Sequence, residues 1–231
     1  MRAPLIFETG RYLPTRKVAI RRMLGAHRCD PDAIRHLHLT MFGGPTTTGR
    51  EANPEQRRSQ RLSFSTEQWV PFPVERVFAF FADPKNLPRL LPPWQDARID
   101  SMELQTPGGY DISGVAARGS RILLSFRPLP LSPIRLRWLA LIDDYVIDHH
   151  FCDLQVTGPF RYWRHCHLVN AESHGEVAGT RVTDVVDYAW PGGSAGSAID
   201  LLGGRLQIRR IFRSRQRRFL RLLGKEIAAH S

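Results

Sequence analysis

The stretch SAIDLLGGRLQIRRIFRSRQRRFLRLLGK, residues 197–225, carries the strongest helical pattern in the sequence. At about 100° per residue, its apolar side chains fall within an arc of roughly 120°. These side chains are Leu201, Ile208, Ile211, Phe212, Phe219, Leu222 and Leu223. Basic side chains occupy the opposite side, but Arg215 falls inside the apolar arc. The pattern predicts one long amphipathic helix with an arginine directed inward.

The sequence before this helix predicts two short helices and seven strands. LSFSTEQWV (62–70) alternates as a strand does, and VERVFAFFA (74–82) has the apolar spacing of a short helix. A helical turn, KNLPRLL (85–91), follows. Six more strand-like stretches lie near residues 96–104, 119–127, 133–142, 148–156, 160–170 and 180–190. Because the connections are too short for helical crossovers, the sheet should be mainly antiparallel.

Charge distinguishes the two ends of the chain from its middle. Residues 1–61 contain 12 lysines and arginines against five acidic residues, and residues 205–231 contain nine against one. The net charge of +11 therefore comes from the two ends of the chain, whereas the middle is mildly acidic. We expect a basic, disordered extension over residues 1–61 and one domain over residues 62–231.

The cysteines and the apolar runs bear on cellular location. No apolar run is long enough to cross a bilayer, and the N-terminus lacks the apolar core of a secretory signal. The three cysteines, Cys29, Cys152 and Cys166, show no Cys-x-x-Cys spacing. They predict neither a disulfide framework nor a zinc knuckle. We therefore expect a cytoplasmic protein, with the periphery of the membrane as an alternative location.

Four blocks of sequence resemble a known superfamily. VERVFAFFADPKNLPRLLPPW (74–94) resembles the opening of SRPBCC (START/Bet v 1-like) ligand-binding proteins. DLQVTGPFRYWRHCHLV (153–169), TRVTDVVDY (180–188) and IFRSR (211–215) resemble later blocks of a bacterial polyketide cyclase/coenzyme Q-binding-like subgroup. The resemblance covers residues 62–223. It implies an α+β helix-grip fold, in which a curved seven-stranded antiparallel sheet wraps around a long C-terminal helix and leaves a cavity between them.

The stretch GPFRYWRHCH (158–167) places Trp163, His165 and His167 on one strand face. If residues 170–179 connect two antiparallel strands symmetrically, His165 lies opposite Asp184. Arg215 would then approach the same place from the helix. We predict a polar cluster in an apolar, ligand-binding pocket formed by Trp138, Trp163, His165, His167, Asp184, Val186, Tyr188, Phe212 and Arg215.

This cluster has several interpretations. It can be an internal Arg-Asp-His network that satisfies its own buried charges, or it can recognise a carboxylate, phenol or quinone oxygen, and the two roles are compatible. His165, His167 and Asp184 would also suit an iron or zinc ion. Because Arg215 should enter the same space, we expect no metal and no cofactor.

We favour binding or carriage of a small hydrophobic ligand, such as a lipid, a quinone or a polyketide-like molecule. The sequence has no nucleophile elbow, phosphate loop or dinucleotide motif, so catalysis is the minority hypothesis and no catalytic residue is assigned. The alternative is a polyketide cyclase or dehydrase in which His165 and Asp184 form an acid/base pair.

The basic side of the last helix suggests an anionic membrane surface as a partner. A second alternative function is therefore that of a quinone- or lipid-handling accessory protein at the membrane. This side lacks interleaved aromatic residues, so we expect no nucleic acid. The residues assigned to membrane contact are Arg209, Arg210, Arg213, Arg217 and Arg221.

Overall fold

The computed structural model describes residues 61–105, 114–192 and 194–229. The strands are β1 (Leu62–Val70), β2 (Arg98–Glu103), β3 (Arg121–Phe126), β4 (Leu136–Val146), β5 (His150–Thr157), β6 (Tyr162–His174) and β7 (Val177–Ala189). The helices are α1 (Val74–Ala82), α2 (Asn86–Leu90), α3 (Ser194–Ile199) and α4 (Arg205–Ala229). A 3₁₀ turn, Pro93–Gln95, precedes β2, and the turn Asp200–Gly204 joins α3 to α4. The expected basic extension, except for Arg61, lies outside the described residues.

The seven strands form one antiparallel sheet in the order β1-β7-β6-β5-β4-β3-β2. Strands β1 and β2 follow each other in the sequence but lie at opposite edges of the sheet. Helices α1 and α2 connect them, and their buried side chains share one core with the sheet and α4. This architecture confirms the α+β helix-grip fold.

Helix α1 is bounded by proline at both ends. Pro73 precedes it with an extended backbone, and Asp83-Pro84 ends it. Its Val77 and Phe78 side chains are buried, and the Phe78 ring packs edge-on against Phe151 of the sheet. Burial of this apolar side stabilises a helix that is too short to form alone.

The C-terminal helix is shorter at its start than the sequence pattern predicts. We expected it to begin at about Ser197, but the chain is kinked at Gly203, whose φ of 128° lies outside the helical region, and α4 begins at Arg205. Leu201, assigned to the apolar arc, is 88% exposed, so that assignment is wrong. The buried side of α4 is formed by Ile208, Phe212, Arg215, Phe219 and Leu223. Among the described helices, none is both long and apolar enough to span a membrane.

The hairpin of β6 and β7 is longer than we expected. Residues 170–179 were assigned to the connection, but the strands continue to His174 and Val177, and only Gly175 and Glu176 form the turn. Gly175, the first residue of this turn, has a φ of 61°. A two-residue hairpin turn that begins with glycine requires a positive φ at this position. Trp69 of β1 contacts the end of β6 near this turn: its ring stacks on His174, and its Nε1 donates to the Glu172 carbonyl.

Because the turn lies at residues 175 and 176, the observed pairing of β6 with β7 differs from the predicted pairing by two residues. His165 lies opposite Val186, and His167, instead of His165, lies opposite Asp184. Because strand side chains alternate with a period of two, this error leaves Asp184 on the same face as both histidines.

Cys152 and Cys166 lie opposite each other on β5 and β6 and form a disulfide. This corrects the expectation that the cysteines form none. Spacing rules for cysteine motifs detect neighbours along the chain, whereas this pair meets only through strand pairing. Both residues are buried in a small cluster with Leu168.

Candidate functional site

A cavity of about 800 Å³ lies between the sheet and the helices. Its walls come from β3, β4, β5, β6, α1, α2 and α4, and most of the side chains in them are apolar or aromatic. A cavity of this size, lined mainly by apolar groups with a few polar ones, is typical of sites for small organic molecules. The aromatic lining residues are Phe81, Phe126, Trp138, Phe151, Phe160, Trp163, Trp190 and Phe212.

One end of the cavity is polar. Oδ1 of Asp184 accepts a hydrogen bond from Nε2 of His165 at 2.9 Å and lies 2.8 Å from Nδ1 of His167. The second contact is close but poorly aligned, so Nδ1 of His167 has no well-directed partner among the described residues. On the other side of the His167 ring, Nη2 of Arg215 lies 3.3 Å from Nε2 and can donate to it.

Asp153 completes this end of the cavity, and the sequence analysis missed it. Its strand β5 pairs with β6, where it lies opposite His165, and its Oδ1 is 3.4 Å from Nδ1 of His165. Phe151, two residues earlier on the same strand, faces the core. The alternation of β5 was thus a signal that could have identified Asp153 as a residue on the inner face. We call Asp153, His165, Asp184, His167 and Arg215 the polar cluster.

The polar cluster shifts the pKa values of its histidines in opposite directions. Burial lowers the pKa of His165, but its contacts with Asp153 and Asp184 outweigh burial and raise the pKa above the ordinary value. Burial lowers the pKa of His167 to about 4, and the charges of His165 and Arg215 act in the same direction. The raised pKa thus favours the imidazolium form of His165, whereas His167 is a neutral imidazole near neutral pH.

Asp184 is the anion between the two histidines. Burial alone would raise its pKa, but its contacts with His167 and His165 hold the pKa well below the ordinary value. A neutral His167 beside this carboxylate carries its proton on Nδ1, which leaves Nε2 free to accept from Arg215.

Arg215 is a buried cation that lines the cavity. Its guanidinium contacts His167 and lies 5.2 Å from the centre of the Phe212 ring. Among the described residues, no carboxylate lies within ion-pair distance of it. A guanidinium has five N–H donors, so donors remain for an oxygen inside the cavity.

Asp153, His165 and His167 each offer a ligand atom, and these atoms lie within 4.8 Å of one another. Two histidines and a carboxylate can hold a divalent cation. The guanidinium of Arg215 beside His167 opposes such a cation, because both charges would share a buried space. The absence of a metal remains a prediction.

A scan against protein-family models finds no match, and a search of curated proteins finds none. Solved structures match in fold. Protein TTHA0849 of Thermus thermophilus is 18% identical, with a TM-score of 0.51, over 74% of this chain and 100% of its own. The Zhui aromatase/cyclase of a Streptomyces species is 13% identical, with a TM-score of 0.51, over 72% of this chain and 96% of its own. Protein NE0264 of Nitrosomonas europaea is 12% identical, with a TM-score of 0.51, over 72% of this chain and 97% of its own.

The chain has the helix-grip fold that SRPBCC proteins share. The three solved structures match 72–74% of this chain and nearly the whole of their own length. At these identities the likeness concerns the fold, and membership of the bacterial cyclase/coenzyme Q-binding-like subgroup stays a prediction.

The cavity is lined by six of the nine residues that we assigned to ligand binding. Asp184, Val186 and Tyr188 are not among the lining residues, and all three are buried. Asp184 lies behind the histidines, and the Tyr188 hydroxyl donates to Oδ1 of Asp200 at 2.8 Å. The six that line the cavity are Trp138, Trp163, His165, His167, Phe212 and Arg215.

The outer side of α4 is basic. Arg213, Arg217 and Arg221 are exposed, Arg210 is exposed and also lines the cavity, and Arg209 is half-buried. Among the described residues, none of these five has a carboxylate within ion-pair distance. The segment before α4 is tied to the sheet through Asp200, which accepts from the Tyr188 hydroxyl and, at 3.1 Å, from Nε1 of Trp190.

Proposed function

We propose that this protein binds or carries a small hydrophobic molecule and recognises an oxygen atom of that molecule through Arg215. The observation that carries this proposal is a buried arginine lining a mainly apolar cavity of about 800 Å³ without a carboxylate partner among the described residues. Burying a guanidinium is costly unless its donors are used. A ligand oxygen would use them.

The charges of the polar cluster favour a neutral oxygen acceptor. Two carboxylates, Asp153 and Asp184, face Arg215 and His165, and the raised pKa of His165 favours its cationic form, so both carboxylates have a countercharge before any ligand enters. A carboxylate ligand would add an uncompensated buried charge, whereas a carbonyl oxygen would not. A quinone or a polyketide-like ketone therefore fits the cluster better than a fatty acid does.

The test compares a long-chain alkyl quinone with an alkylbenzene of the same chain length. The wild-type protein should bind the quinone more tightly, and Arg215→Gln should reduce that preference by about tenfold, because a hydrogen bond from a charged donor is lost. Arg213→Gln, on the exposed side of the same helix, is the matched control. Displacement of a fluorescent apolar probe measures both affinities.

Two results would contradict this proposal. The first is that neither compound displaces the probe from the wild-type protein. The second is that Arg215→Gln, folded as judged by its thermal transition, keeps the full preference for the quinone. Arg215→Lys guards against a folding defect, because it retains a cation in the same place. Native mass spectrometry of protein purified from its own host then identifies the natural ligand.

An acid/base cyclase or dehydrase is the second candidate. The opposite pKa shifts of His165 and His167 favour it, since an imidazolium can donate a proton and a neutral imidazole can accept one. Turnover of a polyketide-like substrate should then fall by about a hundredfold or more in His165→Gln while probe binding persists. Absence of turnover by the wild-type protein would reject the catalytic role and leave binding intact.

The third candidate is a lipid- or quinone-handling accessory at an anionic membrane. The arginines on the outer side of α4, which have no carboxylate partner among the residues that the structure describes, support it through attraction to anionic headgroups. Co-sedimentation with anionic vesicles should weaken as salt is added, and replacing Arg213 and Arg217 by Gln should weaken it further. Binding that ignores both salt and these substitutions would reject this role for the helix.

A further inference from the structure

Six exposed apolar side chains lie on two segments that meet near the start of α4. Three are on the connection from β3 to β4, where Leu131 is 94% exposed, and three are near the Gly203 kink, where Leu201 and Leu202 are each 88% exposed. The segments meet, because Nε2 of Gln207 donates to the Pro128 carbonyl at 3.2 Å. We call this set the mouth rim: Leu129, Leu131, Ile134, Leu201, Leu202 and Leu206.

The mouth rim is continuous with the cavity. Leu129, Leu202 and Leu206 line the cavity and are also exposed, so the cavity reaches the surface between the two segments. Contiguous exposed apolar groups are rare on a protein surface unless they contact another apolar phase. Their position at an opening indicates that this contact is linked to the cavity.

The charges around the mouth rim are positive. Arg205 and Arg210 are exposed within or beside the rim segment of α4, and Arg209 lies between them. The acidic residue in that segment, Asp200, already accepts hydrogen bonds from Tyr188 and Trp190. Apolar side chains bordered by arginines match an anionic lipid surface, whose headgroups attract the arginines while its acyl region accepts the leucines.

We infer that the mouth rim inserts into an anionic lipid bilayer and opens the cavity to the membrane. This goes beyond electrostatic contact by the outer side of α4, because it assigns insertion to residues that the charge pattern does not include. Only the consequence for the ligand rests on the proposed function: an apolar molecule could pass from the acyl region into the cavity without crossing water.

The test is flotation with vesicles of phosphatidylcholine containing about 30% phosphatidylserine, compared with phosphatidylcholine alone. Replacing Leu201 and Leu202 together by Ser keeps the charge and should lower partitioning into the anionic vesicles by about tenfold or more. The matched control replaces Ile147 and Val177 by Ser. These residues are 53% and 51% exposed and lie at turns at the opposite ends of the strands, so partitioning should not change.

Four results would overturn the inference. Wild-type protein that ignores anionic vesicles would do so, as would a rim variant that binds like the wild type. The third is a wild-type dimer that the rim substitutions dissociate, since the rim would then be an interface between two copies. The fourth is a dye on Leu202→Cys, attached in a Cys29→Ser background so that it labels this position alone, that stays in water when the protein floats.

The vesicle experiment and the proposed function can fail separately. In buffer without vesicles, the rim variant should bind the fluorescent apolar probe as the wild type does. A wild-type protein that floats through its rim but binds no probe would reject ligand binding and keep the docking surface. Probe binding without flotation would keep ligand binding and reject the docking surface.

Discussion

His165 and His167 are two residues apart on one strand, yet their surroundings favour opposite protonation states. The difference arises from where Asp153 lies. Of the two histidines, only His165 contacts Asp153 and only His167 contacts Arg215, while both contact Asp184. One ring is thus held between two anions and the other between an anion and a cation.

This arrangement predicts a maximum in stability near pH 6.5 from the two histidines. The raised pKa of His165 contributes stability that is complete below about pH 6.5 and is lost as the pH rises through the folded-state pKa. The lowered pKa of His167, about 4, contributes stability that is complete above about pH 6.5 and is lost as the pH falls toward 4. Each side can approach a slope of about 1.4 kcal/mol per pH unit.

Denaturant unfolding at a series of pH values measures this profile. His167→Gln should flatten the acid side and retain the alkaline side, and His165→Gln should do the opposite, so each variant controls for the other. A profile that neither substitution changes would contradict the assignment of the two protonation states.

At the scale of single residues, the sequence predicted most of the polar cluster. Arg215 was identified because it violates the apolar arc of its helix, and the two histidines because they share a strand face. Asp184 was placed on the correct face despite the register error, since the shift was an even number of residues. Asp153 was missed although the alternation of β5 places it on the inner face; its contact with His165 depends on the pairing of β5 with β6, which no local pattern encodes.

At the scale of elements, the junction of α3 and α4 is set by one glycine. Gly203 has a φ of 128°, which a residue with a Cβ adopts at a cost, although no atom lies within 4 Å of where that Cβ would be. The helical periodicity around it is continuous in sequence, so the pattern predicted one helix. The spacing of apolar residues indicates which side of a helix is buried. It carries no information about the backbone angle of one residue, so it could not predict the kink at Gly203.

Replacing Gly203 by Ala should therefore reduce the free energy of unfolding by about 1 kcal/mol or more through backbone strain alone. Gly224→Ala is the matched control within α4, where an added Cβ would meet Phe72 at an ordinary 3.7 Å. It should stabilise the protein by about 0.5–1 kcal/mol, since alanine is the better helix former. Thermal or urea unfolding compares the two, and equal effects of the same sign would contradict the kink.

At the scale of the whole molecule, the disulfide joins the middle of β5 to the middle of β6. Cys152 and Cys166 are separated by 14 residues, and Phe151, Asp153, His165 and His167 are their immediate neighbours along the two strands. The disulfide thus spans the strand pair that carries much of the polar cluster. The odd number of cysteines in the sequence concealed this pairing, because Cys29 is left over.

Denatured protein purified without reductant should contain one reactive thiol, and fully reduced protein three. Replacing Cys152 and Cys166 together by Ser should lower the free energy of unfolding by about 3 kcal/mol, as expected for a loop of this length. Three thiols in unreduced protein, checked after purification in air, would show that the bond does not form.

The order of strands in the sheet also governs how the chain folds during synthesis. Among the described residues, strand β1 pairs with β7 alone, and Leu62 lies opposite Tyr188. The first of these strands to be synthesised therefore has no partner until the last one has been made. Such non-local pairing slows folding and leaves an unpaired strand exposed to other chains in the meantime. A nascent chain that stops before β7 would therefore carry an open sheet edge and a half-covered cavity, and is the species most prone to aggregate.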